Sequence, residues 1–186
     1  MNSKIIYAIV GMPFSGKTET TKYIEQKGFY KIYFGDATFD EIKKQGLETN
    51  EDNERKIREE LREKHGMAAY AILNIAKIEE AYKDGNVIIE SLYSWDEYKI
   101  IKEKFGDNFK VIAIFTPPSI RYDRVLGRIE EKHGTKRNFT KKSVQSRDYS
   151  QLENLATGGP IAMADYTIVN TGSIDNLYKK IDTIIK

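Results

Sequence analysis

Residues 11–18 read GMPFSGKT and place two glycines, a lysine and a threonine at the spacing of a phosphate-binding loop. Glycine allows backbone conformations that bring successive N–H groups around an anion, and a following helix adds the positive end of its dipole. Lys17 can reach the β- and γ-phosphates of a nucleotide, and Thr18 can ligate Mg²⁺. The residues expected to bind nucleotide are Gly11, Met12, Pro13, Phe14, Ser15, Gly16, Lys17, Thr18 and Glu19.

The segments on both sides of this phosphate loop (residues 11–18) fit the interpretation. The apolar run KIIYAIV at 4–10 predicts a buried strand that ends at the first glycine, and the pattern at 17–27 predicts a helix. The alternative is a glycine-rich turn that binds no ligand. The strand and the helix favour the phosphate site over that turn.

The class of nucleotide protein follows from what accompanies the loop. The sequence contains neither an N-K-x-D guanine signature nor a D-x-x-G switch, and it is too short for a motor-type ATPase with a second arginine-bearing domain. A compact phosphotransferase remains, with ATP as donor and Mg²⁺ as the metal ion. Such an enzyme works by positioning and charge neutralisation, so it needs an acceptor site, an acidic group near the metal and additional cations.

Two acidic residues are candidates at the carboxyl edge of the predicted sheet, where ligands bind in open parallel sheets. Asp36 follows the second strand and is predicted to take the acceptor's proton or to help hold Mg²⁺; the alternative is an N-cap of the next helix. Glu90 ends the third strand, beside the phosphate loop, and is predicted to contact Mg²⁺ through water. The alternative for Glu90 is a side chain that simply points into solvent.

Arginines provide the candidate cations. Arg121, Arg124 and Arg128 are three and four residues apart, which predicts one shared helix face, and with Arg137 and Arg147 they could clamp phosphates as bidentate donors. The alternative is a solvated face that pairs with nearby carboxylates. We favour Arg124, Arg128 and Arg147 as the functional members, and we predict Lys17, Asp36 and these three arginines as the catalytic set.

The predicted elements alternate between strands and helices, which indicates a parallel α/β sheet. Strands are predicted at 4–10, 29–34, 86–91, 109–115 and 166–170. Helices are predicted at 17–27, 36–45, 52–82 with a break at Gly66, 95–104, 117–131, 145–155 and 173–185. The polar, basic segment 130–147 is predicted to be either a plain surface loop or a flap over the phosphates.

Composition limits the remaining possibilities. The chain has 186 residues, 30 Lys or Arg against 28 Asp or Glu, and no cysteine, which is typical of one globular domain in a reducing cytoplasm. No apolar run is long enough for a membrane helix or a signal peptide. Nucleic acid is disfavoured as a partner because the net charge is +2 and the basic segment has only Phe139 as an aromatic. The oligomeric state stays open between monomer and homodimer.

Several motifs in this order resemble one family. With the phosphate loop, the stretches FGD, LREKHG, IRYDRVLGR, RD and AMADYTIVNTGS resemble P-loop proteins related to adenylate kinase and dephospho-CoA kinase, found in archaea and some bacteria. The resemblance covers essentially the whole chain. It implies a three-layer P-loop NTPase fold of the nucleoside-monophosphate-kinase type, with strand order 2-3-1-4-5, an acceptor-binding helical segment at about 36–83 and a lid at about 128–150.

The same resemblance implies roles for individual residues. Residues 11–18 would hold the ATP phosphates, Asp36 would face the acceptor, and Arg124, Arg128 and Arg147 would serve the lid. The turn after the last strand, with Asn170, Thr171, Gly172 and Ser173, would line the adenine pocket.

The chain departs from this family on the acceptor side. Relatives often carry an arginine where this chain has Phe39, and they tend to read Asp-Gly-x-Arg-Ser where this chain reads Glu90-Ser91-Leu92-Tyr93-Ser94. The paired aspartates common in the lid are also missing. The expected activity is therefore transfer of the γ-phosphate of ATP to a nucleoside monophosphate or a dephospho-CoA-like compound, and the alternative is a nucleotide-binding regulatory protein with little transfer activity.

Overall fold

A five-stranded, all-parallel sheet forms the centre of the molecule. The computed structural model describes residues 4–126, 129–132 and 135–185, and for 129–132 and 135–138 it describes the backbone only. The strands are β1 Ile6–Val10, β2 Tyr30–Tyr33, β3 Val87–Glu90, β4 Phe109–Phe115, β5 Ile129–Lys132, β6 Thr135–Asn138 and β7 Tyr166–Val169. The sheet order is β2-β3-β1-β4-β7, so the predicted order of the five sheet strands is confirmed.

Helices cover both faces of this sheet. Their bounds are α1 Lys17–Gln26, α2 Asp36–Lys44, α3 Glu51–His65, α4 Ala69–Asp84, α5 Trp95–Phe105, α6 Pro118–Asp123, α7 Lys141–Leu155, α8 Gly158–Ala162 and α9 Ile174–Asp182. The break predicted at Gly66 is confirmed, because α3 ends at His65 and Gly66 adopts a left-handed φ of 73°.

The sheet separates two hydrophobic cores, one on each face, and β1 contributes side chains to both. Ala8 and Val10 of β1 pack with residues of α2 to α5 on one face, whereas Tyr7 and Ile9 pack with residues of α1 and α9 on the other. All five residues of β1 are buried. A central parallel strand covered on both faces needs apolar side chains at successive positions, which is why the run is continuous rather than alternating.

The region between β4 and β7 differs from the prediction. The helix predicted at 117–131 is wrong, because α6 ends at Asp123. The backbones of β5 and β6 pair antiparallel in the region predicted to be either a surface loop or a flap. Helix α7 begins at Lys141, earlier than predicted, because Thr140 and Ser143 form a reciprocal capping box. Helix α8 was not predicted.

Among the residues that the structure describes, none of the helices combines the length and apolar character needed to cross a membrane.

Candidate phosphoryl-transfer site

The phosphate loop has a backbone that its glycines make possible. Gly11 and Gly16 adopt φ angles of 142° and 109°. A Cβ atom added at Gly11 would lie 2.4 Å from the carbonyl oxygen of Ile114 in β4. The loop is thus pressed against the neighbouring strand, and it delivers the chain directly into α1, whose first residue is Lys17.

Side chains bind the carbonyl groups of four consecutive loop residues. The contacts are Lys17 Nζ to Met12 O (3.0 Å), Arg121 Nη1 to Pro13 O (3.0 Å), Arg124 Nη1 to Phe14 O (3.3 Å), Thr116 Oγ1 to Ser15 O (3.0 Å) and Asn170 Nδ2 to Ser15 O (2.8 Å). Across a trans peptide the carbonyl and the next N–H point in opposite directions. The N–H groups of Phe14 and Gly16 are therefore turned away from these donors, as a phosphate cradle requires.

Lys17 is held in a desolvated and electropositive position. Burial, the largest cause, and the positive charges of Arg147 and Arg121 lower the pKa of its ammonium to about 7, whereas the charges of Glu90 and Asp148 oppose the shift. An anion bound in the loop would offset both causes, because it supplies the missing opposite charge. The hydroxyl of Ser15 is buried and has no hydrogen-bond partner among the residues that the structure describes, which leaves a donor available inside the loop.

Thr18 and Glu90, the residues predicted to hold Mg²⁺, lie together. The hydroxyl of Thr18 donates to Glu90 Oε1 over 3.3 Å. They meet because β3 pairs in parallel with β1, which places Glu90 beside Ile9 at the edge where the loop begins. Two neighbouring oxygen ligands beside a phosphate cradle fit Mg²⁺, which prefers oxygen and completes its shell with substrate phosphate and water.

Arg121 forms a buried network that sequence reasoning did not identify. Its guanidinium donates to both carboxylate oxygens of Asp148 at 2.9 and 2.8 Å, and its Nε donates to the carbonyl of Thr116 at 3.0 Å. The hydroxyl of Tyr122 donates to the same carboxylate. Arg121 and Asp148 are almost fully buried, so this arginine links α6, α7 and the phosphate loop and does not face solvent.

The other predicted arginines divide into two groups. Arg124 is half-buried, donates to the carbonyl of Asn170 at 2.9 Å, and has a pKa lowered by burial. Arg147 is half-buried on α7, close enough for its charge to lower the pKa of Lys17. Arg128 and the side chain of Arg137 lie outside the described residues. The helix face predicted to carry Arg121, Arg124 and Arg128 is wrong, because α6 ends before the last two.

A cleft of about 240 Å³ opens beside the loop. It is lined by the loop and the start of α1, together with Arg124, Asn170, Gly172, Ile174 and Leu177. Gly172 lines this cleft, whereas the Ser173 hydroxyl caps α9 by accepting from the backbone N–H of Asn176. Their predicted role in binding adenine stays a prediction. Thr171 follows Asn170 in the same turn. Asn170, the first residue of the turn that the resemblance assigns to the adenine pocket, also lines the cleft.

The segments predicted to bind the acceptor contribute an acidic residue and aromatic side chains. Asp36 is half-buried and is the first residue of α2, directly after β2. Phe39, one turn later, packs against the core formed with α3 to α5. Trp95 stacks on Tyr98 with ring centroids 5.0 Å apart, so this aromatic pair packs α5. In the loop after β3, the hydroxyls of Ser91 and Tyr93 are 3.1 Å apart.

Sequence comparison identifies the family. The UPF0200 protein of Thermococcus kodakarensis is 32% identical over 183 residues, which cover 97% of this chain and 96% of that protein. The chain belongs to the UPF0200 family. A UPF0200 protein of Methanococcus maripaludis strain C6 is 34% identical over 188 residues, covering 97% and 99% of the two chains. A family profile described as an AAA domain matches residues 8–145.

One UPF0200 relative is longer. The UPF0200/UPF0201 protein of Archaeoglobus fulgidus is 34% identical over 184 residues, which are 97% of this chain and 54% of that protein. The chain therefore spans about half the length of that relative.

Solved structures place the UPF0200 chain in the P-loop kinase-like fold. A gluconokinase from Sinorhizobium meliloti 1021 superposes with a TM-score of 0.57 at 12% identity, covering 97% of this chain and 91% of that one. A protein from Chloroflexus aurantiacus, provisionally named a kinase, gives a TM-score of 0.57 at 11% identity over 100% of both chains. At these identities the likeness concerns the fold.

Proposed function

We propose that this UPF0200 chain is an ATP-dependent phosphotransferase. The observation that carries the proposal is the convergence of a glycine-shaped loop, a desolvated Lys17, the Thr18–Glu90 pair and the charge of Arg147 at one edge of a parallel sheet. A loop that served only as a turn would not need a half-buried ammonium with two further cations beside it, since their mutual repulsion costs stability.

The position of each residue in the site determines its proposed role. The loop N–H groups and Lys17 bind the β- and γ-phosphates of ATP, and Arg147 approaches the transferred group from α7. Thr18 and Glu90 would hold Mg²⁺, which when bound offsets negative charge on the phosphates. Asp36 orients the acceptor and takes its proton. The adenosine part of ATP occupies the cleft between Arg124 and Gly172.

The acceptor is a nucleotide or a nucleotide-like compound, either a nucleoside monophosphate or a dephospho-CoA-like alcohol. The segment 36–83 binds it, and the segment 128–150 serves as a lid in a single-domain, cytoplasmic enzyme. The lid proposal is supported by Phe139, whose ring contacts that of Phe14 in the phosphate loop, with centroids 4.9 Å apart.

Removing Lys17 tests the mechanism. Lys17→Ala should lower transfer of the γ-phosphate from ATP at least about 100-fold, because it removes a charge that acts on the transition state. Lys22→Ala on the exposed side of the same helix is the matched control and should retain wild-type activity. Transfer at the wild-type rate by Lys17→Ala would refute the mechanism.

A regulatory nucleotide-binding protein is the second candidate, and Phe39 favours it. This position faces the core instead of supplying a cation to an acceptor phosphate. Tight binding of Mg·ATP without turnover across a panel of nucleotide and alcohol acceptors would support the regulatory role. Turnover with any acceptor, abolished by Lys17→Ala, would exclude it.

A further inference from the structure

Ser91 is held in a backbone conformation that serine rarely adopts. Its φ is 71°, in the left-handed region that favours glycine. Its hydroxyl lies 3.1 Å from the phenolic oxygen of Tyr93, so the strained turn brings two neutral hydroxyl groups together. Strain of this kind persists where the surrounding structure enforces it, and it concentrates at functional sites.

The Ser91–Tyr93 hydroxyl pair lies beside the proposed point of phosphoryl transfer. Ser91 directly follows Glu90, whose carboxylate accepts from Thr18 at the start of α1. The charges of Arg147 and Glu90 both act on the pKa of Tyr93, and the net effect, dominated by burial, raises it, so the phenol stays neutral. Tyr93 is therefore near both Arg147, which we assign to the transferred phosphate, and Glu90, which we assign to Mg²⁺.

The two side chains of this pair carry no positive charge that could bind an anionic acceptor. Among the described residues that we assign to the transfer site, the cations Lys17, Arg124 and Arg147 serve the donor. Beside the end of β3 we place the carboxylate of Asp36 at the start of α2 and the two neutral hydroxyls. The guanidinium of Arg62, in the same acceptor segment, lies over the ring of Tyr70. Hydroxyl groups donate and accept single hydrogen bonds, which suits an alcohol, whereas a phosphate dianion is bound by cations and bidentate donors.

We propose that Ser91 and Tyr93 are specificity residues that bind the attacking hydroxyl group of the acceptor, so that the enzyme phosphorylates an alcohol and not a phosphate monoester. This inference rests on the proposed phosphotransferase function and selects between its two acceptor classes. The alcohol oxygen forms a bond to the γ-phosphorus, and the bond from that phosphorus to the β–γ bridging oxygen breaks. ADP leaves with the electron pair, and the proton of the alcohol passes to the carboxylate of Asp36.

Matched acceptor pairs test the acceptor class with the full-length protein and radiolabelled Mg·ATP. Each pair contains an alcohol and its phosphate monoester, namely adenosine with AMP, thymidine with TMP, and pantetheine with phosphopantetheine, and dephospho-CoA is added as an alcohol of the nucleotide class. The alcohols should give the higher kcat/KM, by about tenfold or more in at least one pair.

Tyr93→Phe should raise the KM for the best alcohol about tenfold with little change in kcat, as expected for one lost hydrogen bond. Tyr30→Phe at an exposed position should leave KM unchanged.

Two variants at Ser91 separate the hydroxyl from the backbone strain. Ser91→Gly and Ser91→Ala both remove the hydroxyl and should raise KM by the same factor. Only Ser91→Gly relieves the left-handed φ, so only this variant should raise Tm above that of the wild type. A wild-type KM in either variant, or a KM that follows Tm instead of the loss of the hydroxyl, would overturn the proposal.

The possible results test the alcohol specificity separately from the proposed phosphotransferase function on which it rests. Preferred transfer to the phosphate monoesters overturns the role of Ser91 and Tyr93 and leaves the phosphotransferase function standing. Binding of Mg·ATP without transfer to any member of the panel overturns the acceptor proposal and supports the regulatory alternative. Failure to bind Mg·ATP overturns the proposed function itself.

Discussion

Binding of Mg·ATP should be coupled to uptake of a proton by Lys17. In the protein described here, burial and two neighbouring arginines lower the pKa of this ammonium to about 7, so above pH 7 most molecules carry it uncharged. Triphosphate in the loop favours the charged form and raises the pKa. The nucleotide-bound state therefore holds more protons than the free state at alkaline pH, and affinity must fall as pH rises above 7.

The size of the proton uptake follows from the lowered pKa of Lys17. With a pKa of about 7 the free protein carries roughly a tenth of its Lys17 protonated at pH 8, so binding should take up about 0.9 proton. Between pH 7 and pH 9 the dissociation constant should rise about 50-fold if the bound pKa is about 10 or higher, as for an ordinary lysine. Below about pH 6 Lys17 is charged in both states, and its contribution to the pH dependence disappears.

Isothermal titration with a non-hydrolysable ATP analogue and Mg²⁺ measures this uptake directly. Titrations at pH 8 in HEPES and in Tris differ in enthalpy by the number of protons multiplied by the difference in buffer ionisation enthalpy. Lys17→Met, which keeps the length of the side chain without its charge, is the control and should show almost no uptake. Uptake below about 0.3 proton in the wild type, or equal uptake in the variant, would refute the argument.

Three further predictions concern stability. Asp148→Asn should lower Tm by on the order of 10 °C in thermal unfolding, because it leaves the buried guanidinium of Arg121 without its carboxylate. The control Asp123→Asn removes an exposed ion pair and should change Tm by less than about 3 °C. Similar shifts in the two variants would contradict the burial argument. Burial raises the pKa of Glu97 to about 7, so ionisation of this group lowers the stability of the wild type as pH rises from about 5 to 7. In urea unfolding, Glu97→Gln should therefore become more stable relative to the wild type over that pH range. Equal pH dependence in the two proteins would show that Glu97 titrates normally. Gly11→Ala should destabilise more than Gly28→Ala, since both have left-handed φ but only the first meets a backbone oxygen, and equal unfolding midpoints would contradict this.

Local patterns were sufficient to predict the sheet and the position of Glu90 beside the phosphate loop. The strands are apolar on both faces, and parallel strands end at a common edge, so the meeting of Thr18 and Glu90 followed from strand order alone. The phosphate loop was predictable because its requirements are encoded within eight residues. The buried network of Arg121 was not predictable, because its partners Asp148 and Pro13 are 27 and 108 residues away.

The prediction failed where spacing was the only guide. Arginines three and four apart fit a helical face, but nothing in their types signals that α6 ends at Asp123. Ser91 was likewise invisible as a strained residue, because a left-handed φ at serine depends on the contacts of the folded chain and not on its neighbours in sequence.

The carbonyl contacts of the phosphate loop determine what this motif can do outside its own protein. Its shape depends on Thr116, Arg121, Arg124 and Asn170, all contributed by segments that follow β4, about a hundred residues or more beyond the loop. A peptide of residues 11–18, or the same eight residues grafted after a strand of another protein, would carry the motif but lack the scaffold that orients it. In a genetic screen, substitutions at these distant positions would produce the same phenotype as substitutions in the loop.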